Sequence, residues 1–409
     1  MTEALQIAIV GGGIGGLTAA VALRARGAKV TVFEQAEELR EIGAGISLNP
    51  NAALLLRRIG LDKRLADIGT PMSGLNVRTS HGELIAAAPP IVTPVLADPN
   101  IGHGYNVHRA DFLKLLVEIQ SAGTLHLGFR CTRVQESDGG VQLKFANGTV
   151  AQADCLIGAD GIHSVIRREL GVETRPLSEG IMAYRGLVSS KRLSAVTVLN
   201  EPAVWIGSCR SFLCYPVARG QLINMVAFVP TDRDAEESWS AQGDLDALAS
   251  EYAGWDLPVQ QVIAALDETF RWGIYDRAPL PYWSSNRITL LGDAAHPMVP
   301  HVGQGAGQAI EDGFTLALLL EGINKEEIPE RLNIYEKFRL ERTSRVQAIA
   351  RDAGRFYRTE FADPVTRDRH FAKWASEVRW ILEFDAERVA EERLAQIAGA
   401  PGDSQRHAC

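Results

Sequence analysis

The sequence predicts an α/β protein: a Rossmann-type dinucleotide-binding domain, an interleaved β-sheet domain and C-terminal helices. Three observations carry this. An apolar run, Leu5–Val10, leads into Gly11-Gly12-Gly13-Ile14-Gly15-Gly16 and then into a helical segment, the order of a phosphate-binding βαβ unit. A Gly-Asp turn, Gly292-Asp293, follows another strand-like run, Arg287–Leu291, far downstream. Between these segments, from residue 181 to 275, β-type runs dominate. Two distant segments that both suit phosphate and ribose point to one large cofactor clamped across the fold, with FAD as the first candidate.

Composition narrows the class. A chain of 409 residues, 46% apolar and 22% charged, can bury a sizeable core in two or three domains. A net charge of −8 argues against a nucleic-acid binder or an anionic-membrane binder. No apolar run approaches the roughly 20 residues that span a bilayer. The start, Met1–Gln6, carries an acid and no basic stretch, so no signal peptide is expected. Five scattered cysteines without metal spacing suit a reducing cytoplasm. The expectation is a soluble cytoplasmic protein without a metal, nucleic-acid or membrane partner.

The elements follow in order. After the first strand, the glycine turn opens a helix over Leu17–Arg26, stopped by Gly27. Lys29–Phe33 is the second strand, ending at Glu34. The stretch Ala88–Pro94 is Pro-rich and irregular, and a helix follows over Asp111–Gln120. Thr132–Ser137 and Val141–Phe145 form a hairpin about Asp138-Gly139-Gly140, and Asp154–Ala159 is again a strand. A second sheet takes Ile181–Ser189, Ala203–Ile206, Phe212–Pro216 and Gln221–Val229. Helices are expected over Leu245–Ala253, Pro258–Leu266, Gly307–Leu320, Glu330–Arg358 and Phe371–Ile397, before a disordered tail at 402–409. The cofactor domain is thus expected over 1–75, 101–180 and 276–350, and the β-sheet substrate domain over 76–100 and 181–275. C-terminal helices take 351–400, and the tail 401–409. Trp374, Val378, Ile381 and Leu382 could pack on the core or on a second copy, which leaves a homodimer open.

Gly11, Gly13 and Gly16 hold the positions for the tight turn, the close approach of pyrophosphate and helix–strand packing. Glu34 stands where an acid accepts hydrogen bonds from ribose hydroxyls and repels a 2′-phosphate. This fingerprint alone does not separate NAD from FAD. No second GxGxxG and no CxxC is present, which argues against a pyridine-nucleotide disulfide reductase.

Asp154-Cys-Leu-Ile-Gly158-Ala-Asp160-Gly161, with Arg167, supplies an Asp-Gly turn between the fingerprint and Gly292-Asp293. The three motifs, in order and spacing, resemble the single-component FAD-dependent aromatic hydroxylases of the salicylate hydroxylase and 4-hydroxybenzoate hydroxylase superfamily. The resemblance runs from residue 5 to 345. It implies that Gly292 and Asp293 meet the FAD ribose or ribityl chain and that Asp160, Gly161 and Arg167 serve FAD and NAD(P)H. Arg109 would meet the flavin phosphate and ribityl region. Gly303, Gly305 and Ala306, in the loop closed by Gly307, would bring backbone amides to the isoalloxazine. The implied activity uses NADH as a transient co-substrate, and O2 added at flavin C4a gives a hydroperoxide that hydroxylates an electron-rich ring.

Such a site needs a group that deprotonates or stabilises a phenolate, and a histidine of near-neutral pKa suits that task. His301, in Pro300-His301-Val-Gly-Gln-Gly305, matches the Pro-His of salicylate hydroxylase and 6-hydroxynicotinate monooxygenase, and His296 reads as a residue that orders the Gly-Asp turn. Tyr215, in Tyr-Pro, resembles hydroxylases of 3-hydroxybenzoate, and core packing remains an equal reading. Arg185 is open between flavin gating, carboxylate binding and an interdomain ion pair. The substrate expected is a small phenolic acid, foremost salicylate giving catechol and CO2. Para-hydroxylation of 3-hydroxybenzoate and decarboxylative hydroxylation of 6-hydroxynicotinate are the alternatives. A flavin oxidase that dispenses with NADH is the competing class, and a non-catalytic flavin-binding protein the third.

Overall fold

The computed structural model describes residues 3–39, 44–72, 74–85, 102–193, 202–231, 241–361 and 363–399. The Pro-rich stretch 88–94 and the tail 401–409, with Cys409, lie outside the described residues. No described helix is long and apolar enough to cross a membrane.

The cofactor side of the molecule is built on a five-stranded sheet in the order Ile288–Leu290, Cys155–Gly158, Gln6–Val10, Lys29–Phe33, Leu125–His126. Every pairing in it is parallel. Short β-branched and apolar runs suit a strand buried on both faces, and Ile9, Val32, Leu156, Ile157 and Leu290 are fully buried. Parallel pairing has a direct consequence for function. It brings the Gly11 turn, Glu34, the Asp160 turn and Gly292, each of which follows a strand, to one edge of the sheet. That edge is where doubly wound folds bind ligands.

A seven-stranded sheet covers this edge. It contains Leu177–Ser189, Leu222–Pro230, Arg210–Val217, Ala203–Gly207 and Phe270–Asp276, and the short strand Asn76–Thr79 adds to it in parallel. Period-two alternation decides its two faces. Phe212, Cys214, Ile223, Met225, Ala227 and Val229 pack under the helices Leu245–Glu251 and Leu257–Ala264. Tyr252, just after the first of these, donates to the carbonyls of Ser211 and Phe228 at 2.8 and 2.9 Å and fixes the layer. The intervening residues Leu213, Tyr215, Asn224, Val226 and Phe228 therefore face the opposite way, with Tyr215 paired to Asn224 and Leu213 to Val226.

Two departures from expectation bear on the pocket and on the C-terminal helices. A small antiparallel sheet of Gly45–Leu48, Tyr105–His108 and Thr70–Pro71 fits beside the pocket sheet, and the sequence reading assigned it no strands. The helix expected over Phe371–Ile397 is two helices, Pro364–Leu382 and Ala386–Gly399. Asp385 makes the break: it accepts from the amide of Arg388 at 3.2 Å and pairs with Arg58 at 2.5 Å. Trp374, Ile381 and Leu382 are buried within this chain, Trp374 stacking on Phe356 at 6.1 Å.

Candidate active site

The glycine turn separates structural glycines from an open one. Gly11 has φ +117°, and a Cβ there would lie 2.2 Å from the Ala159 carbonyl oxygen. A Cβ on Gly16 would fall 2.0 Å from the Gly11 carbonyl oxygen. Gly13 is different, because a Cβ added to it meets nothing within 4 Å. It is the N-cap of the helix Ile14–Ala25, and no side chain caps that helix. The amides of the first turn and their positive dipole end therefore face open space beside Gly13, as a pyrophosphate requires. Glu34 is fixed at its rim: Oε2 accepts from the Gly12 amide at 2.6 Å and Oε1 from the Ala36 amide at 2.9 Å. These residues fit a dinucleotide with an unphosphorylated ribose.

At the next strand ends the two carboxylates have different fates. Asp160 is engaged in its own turn, with Oδ1 taking the Ser164 hydroxyl at 2.5 Å and Oδ2 the amides of Val165 and Ile166 at 2.6 and 3.1 Å. Burial raises its pKa, and these hydrogen bonds offset part of the rise. The Asp160 side chain thereby caps the start of the helix Val165–Glu169. Arg167, buried, reaches the carbonyls of Ala294 at 3.0 Å and Ile162 at 2.7 Å, so it clamps the Asp-Gly turn to the Gly-Asp turn. Asp293 is open to solvent in the cleft. The surrounding walls raise its pKa, and the charges of His296, Arg109 and Arg277 pull it back. Arg109 and Asp293 thus share one cleft, Arg109 starting the helix Arg109–Glu118 with its amide on the Ala44 carbonyl at 2.8 Å.

Beneath these turns lies a buried polar network that the sequence reading missed. Asp312 takes the Gly292 amide at 3.0 Å, His296 Nε2 at 2.6 Å and Arg339 Nε at 2.6 Å. Glu311 takes Arg339 Nη1 and Arg342 Nε, each at 2.6 Å, and Asn51 Nδ2 at 2.6 Å. Gln308 and Asn51 pass the network to Gln304 at 3.0 and 3.1 Å. His296, read from the sequence as ordering the Gly-Asp turn, does so through Asp312. The glycine loop is anchored from both sides, since Asn49 Nδ2 also donates to the Gly303 carbonyl at 3.0 Å. Gly303 needs its left-handed backbone, φ +60°, to turn into the helix Gly305–Leu319. Gly305 meets nothing within 4 Å of an added Cβ, and Ala306 is half-buried beside it. An uncapped helix start again faces open space.

The pocket sheet looks onto this loop. Asn224 Oδ1 accepts from the Gly45 amide at 2.7 Å, and a Cβ on Gly45 would fall 2.7 Å from the Tyr215 ring. The small sheet therefore presses against Tyr215 and Asn224 at one end of the patch. At the other end the His301 ring lies 4.6 Å from the Phe228 ring. Tyr215 is buried, which pushes its ionisation well above the ordinary tyrosine range. Burial, and then the charge of Arg358, lower His301 to about 3, so the near-neutral value expected of it is not met. Arg185 lies over Trp272 and Phe270, 5.5 and 5.9 Å from the ring centroids.

The family model described as FAD binding domain matches residues 4–352. A 3-amino-4-hydroxybenzoate 2-monooxygenase of Streptomyces platensis is 36% identical over 391 residues, 94% of this chain and 97% of that protein. A 6-hydroxynicotinate 3-monooxygenase of Bordetella bronchiseptica is 37% identical over 355 residues, 85% of this chain and 91% of its own. Among solved structures, a salicylate hydroxylase substrate complex matches with a TM-score of 0.82 at 29% identity, covering 98% of this chain and 99% of that one. A glycine turn and acid that fit a dinucleotide, joined to these likenesses along nearly the whole chain, place it in the FAD binding domain family, as a flavoprotein aromatic monooxygenase of the salicylate hydroxylase-like kind.

Proposed function

We propose that the chain hydroxylates a small aromatic acid carrying a ring hydroxyl, with NADH and O2 as co-substrates and with salicylate, giving catechol and CO2, as the leading case. In this reading residues 1–75, 101–180 and 276–350 hold FAD, and 76–100 and 181–275 cover the ring. The observation that carries it is the pocket face. Tyr215 with Asn224 stands at one end and Phe228 with His301 at the other. Positions 224 and 228 are about 13 Å apart along the strand, a span that matches a six-membered ring with a polar group at each end.

Bound FAD would supply the reduction by NADH and the activation of O2. The chain's own residues orient the ring and exclude water. Gly13 and the helix start behind it would take the pyrophosphate, Glu34 the adenosine ribose, and Asp293 with Arg109 the chain between phosphate and flavin ring. Gly303, Gly305 and Ala306 would offer backbone to the flavin. Leu213, Val226 and Phe228 form a dry wall that keeps water from the reacting centre. Tyr215, held un-ionised by burial, offers a phenolic hydrogen bond.

The likeness to enzymes named for 3-amino-4-hydroxybenzoate and 6-hydroxynicotinate supports the class of ring and leaves its substituents to experiment. NADH consumption by the flavin-loaded protein should be followed with salicylate, 3-hydroxybenzoate, 6-hydroxynicotinate and 3-amino-4-hydroxybenzoate, with products weighed by mass spectrometry. Catechol and CO2 would support the leading case, and gentisate or a dihydroxypyridine would select an alternative. No stimulation by any of the four would reject the substrate class.

A further inference from the structure

His301 lies between the pocket face and the C-terminal end of the long helix Ile328–Tyr357. The helix side leaves no room: a Cβ on Gly354 would fall 2.4 Å from His301 Cδ2 and 2.6 Å from Nε2. Just beyond that end, Arg358 brings Nη1 to 3.4 Å from the same Nε2. A guanidinium only donates hydrogen bonds, and it keeps its charge throughout the working pH range. Nε2 therefore presents its lone pair to Arg358. The proton of a neutral ring is then on Nδ1, on the ring edge turned away from Gly354. Nδ1 is buried and meets no protein partner among the described residues. An N–H left in that state costs about 1–3 kcal/mol, so this edge is complete only with an acceptor supplied from outside the chain.

We propose that Arg358 is a positioning residue that holds His301 as a neutral imidazole protonated on Nδ1, so that His301 donates a hydrogen bond to an anionic oxygen of the aromatic acid instead of removing the phenolic proton. The idea rests on the reading of this pocket as the aromatic-acid site, and it replaces a base with a donor. No proton changes hands at His301: the phenol binds ionised or releases its proton to water.

The charged and titratable surroundings agree. Glu179, on the strand Leu177–Ser189, stays 4.0 Å from Arg358 Nη2 and so only partly offsets its charge. Cys209 and Arg355 act on Arg358 in opposite directions, and the Tyr357 ring stands 6.4 Å from His301, edge to face. Burial and the Arg358 charge both disfavour imidazolium.

The test is nitrogen-15 NMR of histidine-labelled, FAD-loaded protein. His301→Gln identifies the His301 signal among the nine histidines. The expected result is an Nδ1–H tautomer that does not titrate between about pH 5 and 8. Arg358→Gln should move the His301 pKa up towards the ordinary imidazole value of about 6.5 and add an ionisation to the kcat/KM profile. Arg358→Lys, which keeps the charge, should restore the neutral ring. A wild-type His301 that titrates near neutrality, or that carries its proton on Nε2, overturns the proposal. The tautomer is read without substrate, so this failure is distinct from a failure to turn over aromatic acids.

Discussion

Asp312 holds His296 Nε2 at 2.6 Å, and the same carboxylate oxygen takes the amide of Gly292 at 3.0 Å. One buried carboxylate thus shapes the Gly-Asp turn from beneath, while Asp293, the next residue in that turn, stays open to the cleft. The network is balanced: Glu311 and Asp312 face Arg339 and Arg342, all fully or nearly fully buried. Removing one member leaves the others uncompensated, which costs far more than the intact pair contributes.

Asp312→Asn should therefore lower stability at neutral pH by about 3–5 kcal/mol. Burial pushes the Asp312 carboxyl up, but His296, Arg339 and the hydrogen bonds outweigh it and leave it at about 2, below its ordinary 3.8. A depressed carboxylate stabilises the fold above its unfolded pKa, and the gain disappears as pH falls through the folded value. The difference between wild type and Asp312→Asn should narrow by roughly 2 kcal/mol between about pH 4 and 2. Unfolding curves across that window check this, and a constant difference would assign the loss to packing.

The glycine turn offers a paired experiment. Gly16→Ala drives a Cβ to 2.0 Å from a backbone oxygen and should destabilise the protein whether or not FAD is present. Gly13→Ala has open space and an extended backbone, φ −76° and ψ −175°, so the apoprotein should melt as wild type does. Its methyl group would occupy the space of the pyrophosphate, and FAD affinity should fall at least about tenfold, a loss of 1.4 kcal/mol. Flavin fluorescence titration beside apoprotein melting separates the two. Equal FAD affinity in Gly13→Ala would move the phosphate site elsewhere.

Asp293 predicts opposite effects on stability and binding. Its pKa is raised, chiefly because the cleft walls crowd out part of its hydration although the side chain stays exposed. A raised carboxylate stabilises the fold only below its unfolded pKa and is a burden once pH exceeds the folded value. At neutral pH, Asp293→Asn should raise the melting temperature of the apoprotein while weakening FAD, whose hydroxyls are the proposed partners. A variant that binds FAD with wild-type affinity would remove Asp293 from the site.

How much of this was legible follows from the range of each signal. Strand Leu5–Val10, the glycines and Glu34 form a local pattern, and parallel pairing turned four strand ends into one site. The strands Gly45–Leu48 and Tyr105–His108 are short, partly polar and paired across the chain, so nothing local marks them. Gln304, Gln308, Glu311 and Asp312 do share one helical face, a polar stripe on an apolar helix that could have been noticed. Their partners Arg339 and Arg342 could not, being lost among Glu336, Lys337, Glu341 and Arg345. Asp160 serves its own helix start, a role that an Asp-Gly turn marks as well as it marks a ligand. The break at Asp385 has no Gly or Pro, and its only sign is an Asp able to cap. His301 stood in a recognisable Pro-His, yet its ionisation depends first on burial by distant elements and then on Arg358, 57 residues away in sequence.

Tyr215 allows a test that separates substrate recognition from packing. Its side chain lies on the pocket face, hydrogen-bonded to Asn224, and its ring is packed against Gly45. Tyr215→Phe keeps the ring and that contact, so FAD binding and melting temperature should stay close to wild type. If the hydroxyl holds the aromatic acid, KM should rise about tenfold, the worth of one hydrogen bond near 1.4 kcal/mol, with a smaller change in kcat. Asn224→Leu should behave differently. It strands the Gly45 amide, which now donates to Asn224 Oδ1 at 2.7 Å, and should lower stability by about 1–3 kcal/mol as well as raising KM. Steady-state kinetics on both variants, with melting curves alongside, decide the matter. An unchanged KM in Tyr215→Phe would return Tyr215 to the core and leave Asn224 as the polar group at that end of the pocket.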